Sequence, residues 1–238
     1  MRNLKVFVSV RDRWQSTKIC IESLLNHSND LIDIYIFDNG SLPELNQLMQ
    51  LYCKWIRTGR VNVICNNAKT LENVYWGKAF SWCQFLNMMK TFPNRDDLYL
   101  VMMDNDVRVQ QGWIDPLMKC FSSKILQDKN VKVISCWNGC PRYDDIEVLP
   151  GSTRIAIRDA VGSPFLCAPY TYWVQLQTPP FGLNDAVPDD VFYWNQLKSR
   201  GEFFGVLLNR KCTDITPATG GSNYSARLKY NGDSYPND

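Results

Sequence analysis

The chain has 238 residues, enough for one large α/β domain, and 26 Lys and Arg against 24 Asp and Glu. So even a balance provides no global field for nucleic acid or an anionic membrane surface. Its nine cysteines include no C-x-x-C pair, and Cys136 and Cys140 flank "WNG" with no second pair, so neither a structural zinc site nor a disulfide framework is expected. Cys20, Cys65, Cys83 and Cys167 lie within apolar segments and read as reduced core thiols. No apolar stretch is long enough to span a bilayer, and "MRNLKVFVSVRDRW" runs into a strand instead of a signal-peptide core. The expectation is a cytoplasmic protein without integral membrane association, with peripheral work at a membrane left open.

The first half alternates strand and helix patterns. Leu4 to Val10 is apolar and β-branched, Ser16 to Leu25 has helical spacing, Ile32 to Phe37 is a strand, Leu42 to Ile56 a helix and Val61 to Cys65 a strand. Trp76, Ala79, Phe80, Cys83 and Leu86 recur at helical intervals, and a strand follows from Leu98 to Met103. A helix from Trp113 to Phe121 and a strand from Val131 to Cys136 come next. The pattern then breaks into short β-like runs, "TRIAIRD" and "YTYWVQLQ", before a helix from Val191 to Lys198 and a strand from Phe203 to Leu208. From Thr216 the tail is rich in Gly, Ser, Asn, Tyr and Pro and reads as irregular. Repeats of this kind imply a mostly parallel sheet flanked by helices, with ligands at the carboxyl edge of the strands.

Two acids stand at that edge. Asp104 and Asp106 follow the apolar run "LYLVMM", and oxygen donors at a sheet mouth suit Mg²⁺ or Mn²⁺. A solvated acidic loop is the alternative. Asp38 ends the second strand in "IYIFDNGS", where it serves either the Asn39-Gly40 turn or the imide N–H of a uracil-like base or a ribose hydroxyl. The end of the first strand, at Val10, would border the same pocket. Asp189 and Asp190 open a helix in "VPDDVFYWNQLKSRG". Helix capping accounts for one of them, and a carboxylate aimed into the cleft could act as a general base. The single histidine, His27, ends a surface helix, which leaves no support for a Ser/His or Cys/His nucleophile. Trp137, Tyr170, Tyr172, Trp173 and Phe181 offer either an acceptor platform or core packing.

With these pieces in order, the chain resembles glycosyltransferase family 2, the inverting nucleotide-sugar transferases of GT-A fold, over roughly residues 4 to 214. The carrying segments are "VFVSVRDRW", "ICIESLLNHS", "IDIYIFDNGS", "ENVYWGKAFSW", "VMMDNDV", "GWIDPL" and "PDDVFYWNQLKSRG". The resemblance implies a single GT-A domain, with residues 1 to 110 as the nucleotide-sugar half and 111 to 214 as an acceptor half containing a smaller irregular β region. It implies that Asp38 contacts the base, that Lys78 faces the diphosphate, and that Asp104 and Asp106 are the ribose and metal acids. Asp190 takes the base position, with Asp189 its acidic neighbour. Counting thirteen residues on from Gly201 reaches Asp214, where many members carry a metal-binding histidine. The implied donor is a nucleotide diphosphate sugar, UDP-linked in preference, with Mn²⁺ or Mg²⁺ as cofactor. The acceptor class stays open among glycan, glycolipid and protein, with nucleic acid less favoured. A retaining GT-A transferase and a non-catalytic sugar-nucleotide or glycan-binding module are the alternatives.

Overall fold

A computed structural model describes residues 3–10, 13–28, 31–41, 46–66, 74–93, 95–136, 145–162, 164–178, 189–208 and 212–215. The first strand, β1 (Leu4–Val10), pairs in parallel with β2 (Ile32–Asp38) and β4 (Tyr99–Asp104), and β2 pairs in parallel with β3 (Val61–Cys65). Six of the seven β1 residues are buried, as befits a central strand covered on both faces. Alternation then divides its side chains: Val6, Val8 and Val10 enter one core, and Phe7 enters the other.

Helices α1 (Trp14–His27), α2 (Asn46–Ile56), α4 (Ile114–Phe121) and α5 (Lys124–Asp128) cover the valine face. Leu48, Tyr52 and Trp55 are the buried stripe of α2, at the spacing of one helical face. The opposite face is covered by α3 (Val74–Met89), the short α6 (Tyr170–Trp173) and α7 (Asp189–Ser199). Its core is aromatic. Trp82 of α3 meets Phe7 and Trp173 edge-on, with centroids 5.2 and 5.0 Å apart, and Trp173 meets Tyr193 at 5.4 Å.

Beyond β4 the sheet continues through β9 (Phe165–Pro169), β6 (Val131–Ser135), β10 (Phe203–Leu207), β8 (Thr153–Arg158) and β7 (Ile146–Leu149), giving nine strands in the order β3-β2-β1-β4-β9-β6-β10-β8-β7. Only β8 and β9 run against the common direction, so the expected mostly parallel sheet is present. A separate two-stranded ribbon joins β5 (Val107–Val109) to β11 (Cys212–Asp214).

Four sequence expectations need correction. "YTYWVQLQ" begins as the helical turn α6, whose Tyr170, Tyr172 and Trp173 are buried. Tyr170 N–H donates to the Leu98 carbonyl and Trp173 Nε1 to that of Leu100, at the start of β4 and so at the edge opposite Asp104. These three aromatics are core, not an acceptor platform; Trp137 and Phe181 lie outside the described residues. On α3 the buried stripe is Ala79, Trp82, Phe85, Leu86 and Met89, and Phe80, about 200° around the helix from Trp82, which packs on Phe7, faces outward. Cys65 is exposed and Cys83 only half-buried, whereas Cys20 and Cys167 are core thiols. Among the described residues no helix is long and apolar enough to cross a membrane.

Candidate active site

Strand register brings the first candidates together. Val10 pairs with Asp38 and Asp38 with Cys65, while Ser9 pairs with Asp104, so all three candidates reach the carboxyl edge, with Asp104 one residue short of the Val10–Asp38 row and in phase with the opposite face of the sheet. Asp106 follows in the turn between β4 and β5 and is almost fully buried.

Each of the two acids holds a cation from a different segment. Lys78 Nζ of α3 donates to Asp104 Oδ1 at 2.6 Å, and Arg13 Nη1 donates to Asp106 Oδ2 at 2.9 Å. Lys78 reaches Asp104 because α3 approaches the turn after β2 closely: a Cβ on Gly77 would meet Asn39 Cβ at 3.3 Å. Arg13 precedes α1 in the left-handed region, φ 53° and ψ 52°, where residues other than glycine are uncommon. The Arg13 carbonyl accepts bonds from Thr17 N–H at 3.0 Å and Thr17 Oγ1 at 2.9 Å. Asn105, between the acids, donates through Nδ2 to Thr17 Oγ1 at 2.9 Å.

Asp38 is buried and has a structural task. Its Oδ2 accepts from Tyr52 Oη at 2.9 Å, and its Oδ1 accepts the Ser41 N–H at 2.8 Å, which closes the turn. Asn39 is tied to Ser9, Asn66 and Ser81 through its side-chain amide, so the floor between β1, β2 and α3 is a satisfied polar network.

Cys20 lies beneath the acids, its thiol donating to the Asp104 carbonyl at 3.7 Å. Burial, with the charges of Asp106 and Asp104, pushes that thiol far above its ordinary range, so it stays protonated. Burial likewise raises Cys120 to about 12 and drives up Cys136 and Cys167. None of these is a nucleophile at neutral pH.

Asp214 ends β11 opposite Val107, and Ile215 N–H donates to the Asp106 carbonyl at 2.7 Å. Its backbone therefore runs beside the acid pair, while its side chain lies outside the described structure. Asp189 and Asp190 start α7, and their side chains also lie outside it. The helix ends in a turn where Glu202 N–H bonds the Leu197 carbonyl and Gly201 has φ +64°, leading into the amino end of β10. Tyr193 and Leu197 of this helix belong to the aromatic core on the α3 face of the sheet. His27 closes α1 and has no place at this edge.

Arg13 and Tyr52 were not recognised from the sequence. Arg13 stands three residues past the end of β1 in "VSVRDRW", and no spacing rule ties it to an acid more than ninety positions on. Tyr52 follows helical spacing with Leu48 and Trp55, which signals burial but not a hydroxyl partner.

A doubly covered, mostly parallel sheet with paired acids at the end of its fourth strand defines the GT-A class of glycosyltransferase fold. Residues 5–168 match glycosyl transferase family 2, and the chain belongs to that family. No curated protein matches the chain. Among solved structures, the mannosyltransferase PcManGT from Pyrobaculum calidifontis, in complex with GDP-Man and Mn²⁺, is similar at a TM-score of 0.61 and 12% identity, over 95% of this chain and 60% of that one. GalNAc-T7 with UDP, GalNAc and Mn²⁺ is similar at a TM-score of 0.65 and 14% identity, over 95% of this chain and 48% of that one. The chain thus spans less than two thirds of either neighbour, and likeness at these identities is one of fold.

The fold family implies a divalent cation, and the residues fit one. Asp104 and Asp106 are hard oxygen donors two positions apart at the carboxyl edge of the sheet, and both already hold positive groups at their carboxylate oxygens. Among the described residues no third His, Cys, Asp or Glu joins them.

Proposed function

We propose that this chain transfers a sugar from a nucleotide diphosphate sugar, UDP-linked in preference, to an acceptor hydroxyl, with inversion at the anomeric carbon and Asp190 as the general base. The observation that carries the reading is the acid pair at the end of β4, flanked by Lys78 and Arg13, in a family 2 chain. The nucleotide and Mn²⁺ bound by the two structural neighbours support the donor class and the metal.

Residues 1–110 hold the donor. Asp38, beside Val10, contacts the base or ribose with acceptor capacity beyond its bonds to Tyr52 and Ser41. Asp104, facing the ribose, and Asp106 would hold the metal, with Asp214 as the candidate third ligand. The cation, Mn²⁺ or Mg²⁺, supplies electrostatic stabilisation for charge building on the departing diphosphate. Lys78 adds a point charge on the same side.

Residues 111–214 hold the acceptor. As its oxygen bonds to the anomeric carbon, the bond from that carbon to the diphosphate oxygen breaks, and the hydroxyl proton passes to Asp190 on the opposite face. Inversion follows from this single displacement.

A thermal-shift screen of UDP-, GDP- and dTDP-sugars with and without Mn²⁺ tests the donor reading, and no stabilisation by any of them refutes it. For the responding donor, Asp190→Asn lowers turnover by about 10²- to 10⁴-fold with donor binding retained. Near-normal turnover refutes the base assignment, and a product with retained configuration refutes inversion.

A further inference from the structure

The acid pair carries its own counter-charges. Asp104 with Lys78 and Asp106 with Arg13 form two ion pairs whose four formal charges cancel. A divalent cation added between these acids brings two positive charges, of which Asp214 in the shell would offset one and a diphosphate arriving with the metal the rest. Charge alone therefore disfavours the metal without the diphosphate.

The two protein cations differ in how they are held. Lys78 is carried within α3 and its side chain is 12% exposed. Arg13 lies outside the first turn of α1, and its side chain is 34% exposed. Its backbone is fixed in a left-handed conformation, of a kind that clusters at ligand clamps and switch regions. The same Thr17 hydroxyl that bonds the Arg13 carbonyl accepts from Asn105, so the backbone of Arg13 is tethered to the acid-bearing turn. The long side chain, anchored at that point, can exchange partners while its Cα stays in place. Its planar guanidinium matches phosphate oxygens as well as carboxylate oxygens.

We propose that Arg13 is an exchangeable counter-cation of Asp106: it occupies this carboxylate in the metal-free enzyme, yields it on metal binding and turns to the donor diphosphate. Metal and nucleoside diphosphate thereby become mutually dependent ligands, each raising affinity for the other by the same factor. This rests on the donor reading above and adds to it the residue that couples the two ligands.

The test measures Mn²⁺ binding to the full chain from the electron paramagnetic resonance signal of the free ion, alone and with UDP or GDP. Arg13→Gly suits the left-handed backbone and removes the guanidinium. It is expected to bind Mn²⁺ alone about tenfold more tightly than the unaltered chain, and its enhancement of Mn²⁺ binding by nucleotide should shrink about tenfold. Arg13→Lys, which keeps a charge without the fork, should fall between the two on both measures. Unchanged or weaker binding of Mn²⁺ alone by a folded Arg13→Gly chain overturns the proposal, as does the absence of measurable binding in every form. Should Arg13→Gly fail to fold, Arg13→Lys decides, and unaltered values in it also overturn the proposal. If neither nucleotide binds the unaltered chain with Mn²⁺, the donor reading fails, and the Mn²⁺-only comparison still judges the exchange at Asp106.

Discussion

Replacing Asp106 by asparagine isolates the charge of the more buried metal acid. The amide keeps an oxygen for Arg13 Nη1, now 2.9 Å from Oδ2, and leaves the main-chain bond from Ile215 intact. What is lost is the charge assistance, about 1 kcal/mol, discounted because a third of the Arg13 side chain is exposed. In a chain of this size that lowers Tm by no more than about 2–4 °C. The metal loses an anionic ligand, and since even outer-shell changes cost about 10- to 100-fold in affinity, about 100-fold is a conservative expectation. The assay is the rise in Tm produced by Mn²⁺ plus the responding nucleotide. At a concentration about 100 times Kd the stabilisation is about 2.7 kcal/mol, or roughly 5–11 °C. With affinity reduced about 100-fold, the same concentration gives about 0.4 kcal/mol, or roughly 1–2 °C. An Asp106→Asn chain that keeps the full Mn²⁺-dependent rise refutes the placement of the metal at this acid.

Further outcomes are expected. Gly205→Ala, in β10 and away from the acids, puts a Cβ 2.5 Å from Ile155 Cδ1 and 2.9 Å from Ile134 Cδ1, and should cost about 1–3 kcal/mol by chemical denaturation while leaving the nucleotide response intact. Tyr52→Phe removes the hydroxyl 2.9 Å from Asp38 Oδ2 and should cost about 1–3 kcal/mol in the same measurement; an unchanged midpoint would show that this bond does not hold Asp38. Burial, and then the bond to Glu202, raise the Tyr172 hydroxyl above its ordinary value of 10.0, so its neutral form is favoured in the folded chain. This contribution is complete below about pH 10 and is lost as pH rises beyond it, and pH-dependent melting of Tyr172→Phe should show a shallower alkaline decline. Alkylation of the native chain followed by mass spectrometry should modify Cys53 and Cys65 well before Cys20, Cys136 and Cys167, which are buried.

The sequence is most informative where one periodicity dominates. β1 and β2 are apolar runs ended by polar residues, and their expected bounds agree with the observed ones to within a residue. The acids at Asp38 and Asp104 were legible for the same reason: a strand that stops at a carboxylate in a parallel sheet delivers it to the ligand edge. The short elements β5, β9 and β11 were not assigned, because three to five residues carry too little period to separate a strand from a buried loop. "YTYWVQLQ" misled through composition, since aromatic and β-branched residues favour strands, but anchoring Trp173 Nε1 to the Leu100 carbonyl favours a turn of helix. Arg13 was invisible because a long-range ion pair leaves no local pattern.

What fixes the acids also limits how they can move. The turn carrying Asn105 and Asp106 is held by α1 through Thr17, and β5 beyond it is held by the Ser23 hydroxyl, which accepts the Val109 N–H at 3.1 Å. On its other side β11 closes against β5, and Ile215 bonds the Asp106 carbonyl. Two segments distant in sequence, α1 and the stretch from β11 to Ile215, thus hold the acid motif, and such support lets carboxylates hold position against their mutual repulsion. The side chains that balance those charges come instead from the rims, at the start of α1 and the first turns of α3. A held anionic floor with one cation, Arg13, on a longer and more exposed stem is the arrangement expected where one positive group must give way to another without disturbing the fold.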